Sequence, residues 1–230
     1  MLDEKIFAQL KERVSEELKE CPGHDINHVM RVYNLALTIA EGEGEVNWEV
    51  LQAATLLHDI GGARETADPT GKTDHAVESA RMAGPILTEA GFSPEKIKHV
   101  QECIVSHRYK TDNEPQTLEA KILFDADKLD ALGAIGLARA FIWIGKNKGN
   151  IYKKLNPTEL DQYIKDNLSG SIRGRIQDKT LHSPQIEFET KTKYLPDKLY
   201  TTKGRAVGQG RMEYYRDFLD RLEREVKGEL

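Results

Sequence analysis

The chain has 230 residues, 39% hydrophobic and 31% charged, with a formal net charge of −5. That length and balance suit an ordinary globular protein able to bury a sizeable core without staples. They come with no basic run for a nucleic-acid polymer, no cysteine framework (Cys21 and Cys103 form no CxxC motif), and no stretch approaching the ~20 apolar residues of a membrane span.

Helical periodicity dominates. Leu2, Ile6, Leu10, Val14 and Leu18 recur every four residues and share one helical face; Cys21-Pro22-Gly23 ends that helix. Residues 1–18 are charged throughout, with no apolar run for a signal peptide, so a cytoplasmic protein is expected. A second helix is predicted over 26–41, with Asp25 as its cap and Val29, Val32, Tyr33, Ala36 and Ile39 as its buried stripe. A third is predicted over 48–59, capped by Asn47 and stopped by Gly61-Gly62. A loop containing Asp68-Pro69-Thr70-Gly71 follows. The fourth helix covers 75–90, with Thr73 or Asp74 as cap. Ser93-Pro94-Glu95 is a strong start for a fifth, running to His107. A sixth covers 118–130. A seventh, over 133–144, is unusually apolar and is expected to be central.

Beyond Gly149 the pattern weakens. Asn156-Pro157-Thr158-Glu159 starts a short helix, residues 170–198 are polar and ambiguous, and Tyr214, Phe218, Leu219 and Leu222 mark a final amphipathic helix. Gly204, Gly208 and Gly210 leave its beginning open, since an interior glycine costs about 1 kcal/mol against alanine. No period-2 alternation supports a large sheet. The expected fold is all-α, a helical bundle-like single domain, with a core over 1–150 and a helical extension over 151–230 packed on the same domain.

Six of the seven histidines fall between positions 24 and 107. Two stand in His-Asp dipeptides, His24-Asp25 and His58-Asp59. The dipeptide alone is weak; its context is not. His58-Asp59 ends an apolar helix just before two glycines, where an opening backbone lets neighbouring side chains turn toward one point. His28 lies beside the apolar stripe of its helix. Asp125, Asp127 and Asp130 lie in an otherwise apolar helix, and burying acids costs several kcal/mol each unless they are paired or metal-bound. Two imidazoles and two carboxylates suit Mn(II), Fe(II), Ni(II) or Zn(II) better than Ca(II); Mg(II), which prefers oxygen and water, fits less well but stays open.

In their order, His28, His58-Asp59 and Asp127 resemble the H…HD…D signature of the HD superfamily of phosphohydrolases. Gly23-His24-Asp25-Ile26-Asn27-His28-Val29-Met30-Arg31-Val32 is similar to that superfamily's first helix, and Leu56-Leu57-His58-Asp59-Ile60-Gly61 to its central motif. Asp125-Ala126-Asp127-Lys128-Leu129-Asp130-Ala131-Leu132-Gly133-Ala134-Ile135-Gly136-Leu137-Ala138-Arg139 looks like a bacterial and archaeal subgroup of small stand-alone HD hydrolases. The resemblance covers 22–149, with a weaker echo in the final helix.

The resemblance implies an all-helical HD-domain fold with a divalent ion in a cavity between helices, held by His28, His58, Asp59 and Asp127. It implies hydrolysis of phosphate mono- or diesters, or cleavage of nucleoside triphosphates to monophosphate and pyrophosphate. Related subgroups place histidines near the positions of His75 and His107, where they bind a second metal or line the phosphate pocket; the alternative is two surface histidines at helix ends. Many relatives carry an acid or lysine three residues after the motif aspartate, a position held here by Gly62. Glu65, Asp68 and Lys72 are the candidates to replace it.

Arg31, Lys72, Arg108, Lys128 and Arg139 are candidate phosphate partners, and Asp130 can orient a ligand or Lys128 from behind. His24 can face the site or lie on the surface at the helix start, and His99 and His182 receive no role. The expected activity is metal-dependent hydrolysis of a small phosphorylated molecule, a nucleotide, with metal-activated water attacking phosphorus. A phosphodiesterase with a paired metal centre and a non-catalytic nucleotide or metal sensor are the alternatives. Oligomeric state is left open, a homodimer included.

Overall fold

The computed structural model describes residues 1–19, 25–108, 113–172 and 174–230. Cys21-Pro22-Gly23, expected to end the first helix, and His24 lie outside the described residues. Among the described residues all regular structure is helical, as expected, and no helix is long and apolar enough to cross a membrane. The chain divides into two compact units, Met1–Asp127 with Tyr200–Gly204, and Lys128–Leu199 with Arg205–Leu230.

The first unit holds α1 (Glu4–Glu17), α2 (Ile26–Ala40), α3 (Trp48–Leu57), α4 (Gly62–Ala67), α5 (His75–Glu89), α6 (Pro94–Ser106) and most of α7 (Leu118–Leu129). The helix starts follow the sequence signals. Asp25, Asn47 and Ser93 accept from the backbone N–H groups of His28, Val50 and Lys96, and Asp74 rather than Thr73 caps α5 through Ala76 N at 2.9 Å.

In the first unit the enclosed helix is α3. Every residue from Val50 to Leu57 is buried, and α3 packs against α1, α2, α5 and α6. A helix apolar on all sides is stable only when enclosed. Its polar members are satisfied internally: Gln52 accepts from Leu2 N and donates to the Tyr33 hydroxyl, both at 2.6 Å, and Thr55 donates to Leu51 O at 2.9 Å.

The sequence reading placed a loop after Gly61-Gly62, whereas the structure has α4 there. Two ties explain how so short a helix holds. The Thr66 hydroxyl bonds back to Gly62 O at 3.0 Å, and Arg64 pairs with Glu78 of α5. The loop that follows is closed by Asp68, which accepts from the backbone and hydroxyl of both Thr70 and Thr73 at 2.7–2.8 Å.

The second unit contains α8 (Gly133–Lys146), α9 (Pro157–Asn167), α10 (Pro184–Thr190), short 3-10 turns at 179–181, 192–194 and 196–198, and α11 (Thr202–Val226) from Arg205 onward. The region left ambiguous over 170–198 thus holds one short helix and these turns. Within this unit α8 buries Gly133, Gly136, Leu137 and Ile144 but leaves Ile135 and Ile142 38% and 62% exposed. His182 is buried, its Nδ1 2.8 Å from the Tyr163 hydroxyl and its Nε2 3.0 Å from Glu187 Oε2.

The last helix starts at Thr202, two residues before the first of the three glycines, and so includes all of them. Its first turn explains Gly204. The Thr201 hydroxyl accepts from Gly204 N at 3.0 Å, and a Cβ at Gly204 would collide with the Asp125 carboxylate. Close approach of a buried acid outweighs the propensity cost.

Candidate metal centre

All the groups of the site belong to the first unit. α2 contributes His28 one turn past its cap. α3 ends at Leu57, with His58 as its C-cap and Asp59 in the turn that follows. α7 contributes Asp127. His28 Nε2 lies 3.3 Å from Asp59 Oδ2, 3.4 Å from Asp127 Oδ1 and 3.4 Å from His58 Nε2, and His58 Nε2 lies 3.4 Å from Asp59 Oδ2. Three elements separated by dozens of residues thus bring these four side chains together.

A second cluster shares Asp59. Its Oδ1 lies 3.4 Å from His107 Nε2 and 3.5 Å from His75 Nε2, and the two imidazole nitrogens are 3.3 Å apart. His107 is the C-cap of α6, and His75 is the first residue of α5. Gly61 makes that approach possible. A Cβ there would stand 2.8 Å from Ser79 N and 3.0 Å from His75 O, and Gly61 N donates to the Ser79 hydroxyl at 2.9 Å. His28, His58, Asp59 and His107 are each no more than 1% exposed, so the surface reading of His107 does not hold.

The proton positions can be deduced for three of the rings. His58 Nδ1 is 2.8 Å from Thr55 O, and His107 Nδ1 is 2.5 Å from Ile104 O. A carbonyl only accepts, so each ring carries a proton on Nδ1 and turns Nε2 inward. His75 Nδ1 is 2.6 Å from Glu65 Oε2. Burial would raise the Glu65 carboxyl, but the hydrogen bond and charge of His75, with Arg108, outweigh it and bring the group down to about 2. Glu65 is therefore ionised and accepts from Nδ1. Burial, against the pull of Asp59, holds His107 down to about 4 and so neutral at pH 7.

The result is a set of carboxylate oxygens and imidazole nitrogens that face one another at the separations of a shared coordination sphere. Carboxylates gathered this closely and out of water need a positive charge among them, a proton or a metal ion. Atoms bound at ~2.1 Å to one ion lie about 3.0–3.4 Å apart at octahedral to tetrahedral angles, close to the separations found. Two triads, His28 with His58 and Asp59, and Asp59 with His75 and His107, have ligand atoms close enough to hold an ion.

Of the three candidates to replace the acid missing at Gly62, Glu65 reaches the site. Asp68 is used by its own loop, and Lys72 is exposed, its backbone N–H on Asp68. Arg108 joins Glu65 Oε1 at 2.8 Å to Asp74 Oδ2 at 2.7 Å. Arg31 is half-buried on α2. Lys128, Asp130 and Arg139 belong to the second unit, where Arg139 donates to Asp130 Oδ2 at 2.6 Å. The sequence names Glu65 as one of three candidates and Asp74 only as a helix cap; the signals for both at the site are an acid one turn beyond Gly62 and an Asp-His pair opening a helix.

Comparison with known proteins agrees with this geometry. The HD domain model matches residues 25–132. The uncharacterized protein MJ0778 of Methanocaldococcus jannaschii is 33% identical over 137 residues, 55% of this chain and 73% of that protein. The chain belongs to the HD superfamily. The crystal structure of an HD-superfamily hydrolase from Bacillus thuringiensis matches this HD protein with a TM-score of 0.68 at 26% identity, over 97% of each chain. Bacillus subtilis YpgQ is 28% identical over 213 residues, 91% of this chain and 87% of its own. Its crystal structure in complex with ADP matches with a TM-score of 0.68 at 25% identity, over 96% of this chain and 95% of that one. This HD protein is a hydrolase of a metal-dependent phosphohydrolase family.

Proposed function

We propose that the chain hydrolyses a phosphate ester or anhydride of a small molecule, a nucleotide, with a divalent ion held by His28, His58, Asp59 and Asp127. The observation that carries this reading is the convergence of buried imidazoles around Asp59. A donor set of two imidazoles and two carboxylates favours Mn(II), Fe(II), Ni(II) or Zn(II). Bound there, such an ion supplies Lewis acidity and a water that ionises near neutral pH.

The chain's own residues divide the remaining work. Thr55 O and Ile104 O fix the tautomers of His58 and His107, so no ring has to reorient before reaction. Asp127, its side chain 16% exposed, is the most exposed of the four ligands. Arg31 and Lys72, both in the first unit with the ligands, are the cations assigned to the phosphate groups. Nucleotide chemistry is supported by the ADP complex of YpgQ.

A second reading, a phosphodiesterase with a paired ion centre, is favoured by the position of Asp59. Its two oxygens face two different histidine pairs, as a bridging carboxylate would. A panel of nucleoside mono-, di- and triphosphates and cyclic dinucleotides, assayed with Mn(II) while bound metal is counted, separates the readings. Release of phosphate or pyrophosphate with one ion per chain supports the first, and diester cleavage with two ions supports the second. No turnover of any member despite a filled site contradicts both.

A further inference from the structure

His58 and His107 owe their tautomers to their places at helix ends. Each is a C-cap and donates Nδ1–H to the carbonyl three residues back, one of those a helix terminus leaves unsatisfied. His75 stands at the opposite end of a helix, as the first residue of α5. A proton on its Nε2 would be aimed at Asp59 and His107, whereas a proton on its Nδ1 faces Glu65.

We propose that Glu65 is a positioning residue that holds His75 in the Nδ1–H tautomer, making His75 a cation ligand rather than a donor to phosphate. Glu65 Oε2 takes the Nδ1 proton at 2.6 Å, and an ionised carboxylate offers no proton in return. Its other oxygen is held by Arg108 Nη2 at 2.8 Å, and the same guanidinium reaches Asp74 Oδ2 at 2.7 Å. Asp74 is the cap of α5, immediately before His75. The carboxylate on α4, the guanidinium after α6 and the cap of α5 thus form one chain of charge-assisted bonds ending on the ring. The carboxylate also makes the imidazole a stronger base toward whatever its Nε2 faces.

This rests on reading Asp59, His75 and His107 as a cation site, and the test keeps the two apart. Metal-free, 15N-labelled protein is studied at about pH 8.5, where an ordinary imidazole is neutral. Long-range 1H–15N spectra report which ring nitrogen carries the proton, with the His75 signals assigned by their loss in His75→Gln. Wild type is expected to show protonated Nδ1 and bare Nε2. Glu65→Leu should give a mixture of tautomers, and Glu65→Gln, whose amide oxygen still accepts, should restore the wild-type form. Mn(II) titration of the same samples should show the second equivalent weakened at least about ten-fold in Glu65→Leu, with the first unchanged. Persistence of the Nδ1–H form in Glu65→Leu overturns the role of Glu65. A wild type that binds one ion, with the tautomer shift intact, overturns the second cation position and upholds the positioning role.

Discussion

Asp125 Oδ2 lies 2.8 Å from Thr201 N and 2.7 Å from the Thr201 hydroxyl. Its Oδ1 takes Tyr200 N at 2.9 Å. Two residues from a candidate metal ligand, this buried acid is used to anchor the chain at the start of α11. Asp125→Ala strands buried donors and should lower unfolding free energy by roughly 2–4 kcal/mol in urea denaturation. Asp127→Ala should change stability of the metal-free protein far less. Equal effects of the two would mean that the assigned roles are wrong.

Glu78 ties α4 to α5. It accepts from Arg81 on its own helix and from Arg64 on α4. The Arg81 hydrogen bond, followed by that of Arg64, outweighs burial and takes its carboxyl down to about 2 from 4.5. A carboxyl lowered in the folded state stabilises above its unfolded value and loses that contribution as pH falls through the folded one. Between about pH 4.5 and 2, amide exchange in α4 should therefore rise ahead of global unfolding. Glu78→Gln should show the faster exchange already at neutral pH. An α4 equally protected in both proteins at pH 7 would contradict the tie.

How much of this was legible in the chain depends on the physics of each residue. Helix starts were readable because caps act within three residues: Asp25, Asn47 and Ser93 each bond a neighbour's N–H. The HD motif was readable because its residue types are rare in apolar surroundings. The roles of the acids in Asp125-Ala126-Asp127-Lys128-Leu129-Asp130 were not, because burial costs all acids alike and only the fold decides the partner: Thr201 for Asp125, Arg139 for Asp130. Likewise apolarity singled out both α3 and α8, but only the contacts of the folded chain show that α3 is the enclosed one.

The two faces of α8 give a direct check on that last point. Leu137 is 3% exposed and Ile142 is 62% exposed. Leu137→Ala should cost about 2–4 kcal/mol through lost burial and the cavity left behind. Ile142→Glu should stay within about 0.5 kcal/mol of wild type. Thermal or urea denaturation distinguishes them, and a severe loss in Ile142→Glu would show that this face is covered.

The most direct measurement is the metal content of purified protein after equilibration with Mn(II) and removal of the free ion, for wild type, His28→Ala and Asp127→Ala. Wild type should retain at least one ion per chain. Either substitution should lower that occupancy at least about ten-fold while the helical signal is preserved, and hydrolysis should fall with it. Full occupancy in either variant, or a wild type that holds no divalent ion, would contradict a metal centre built on these side chains.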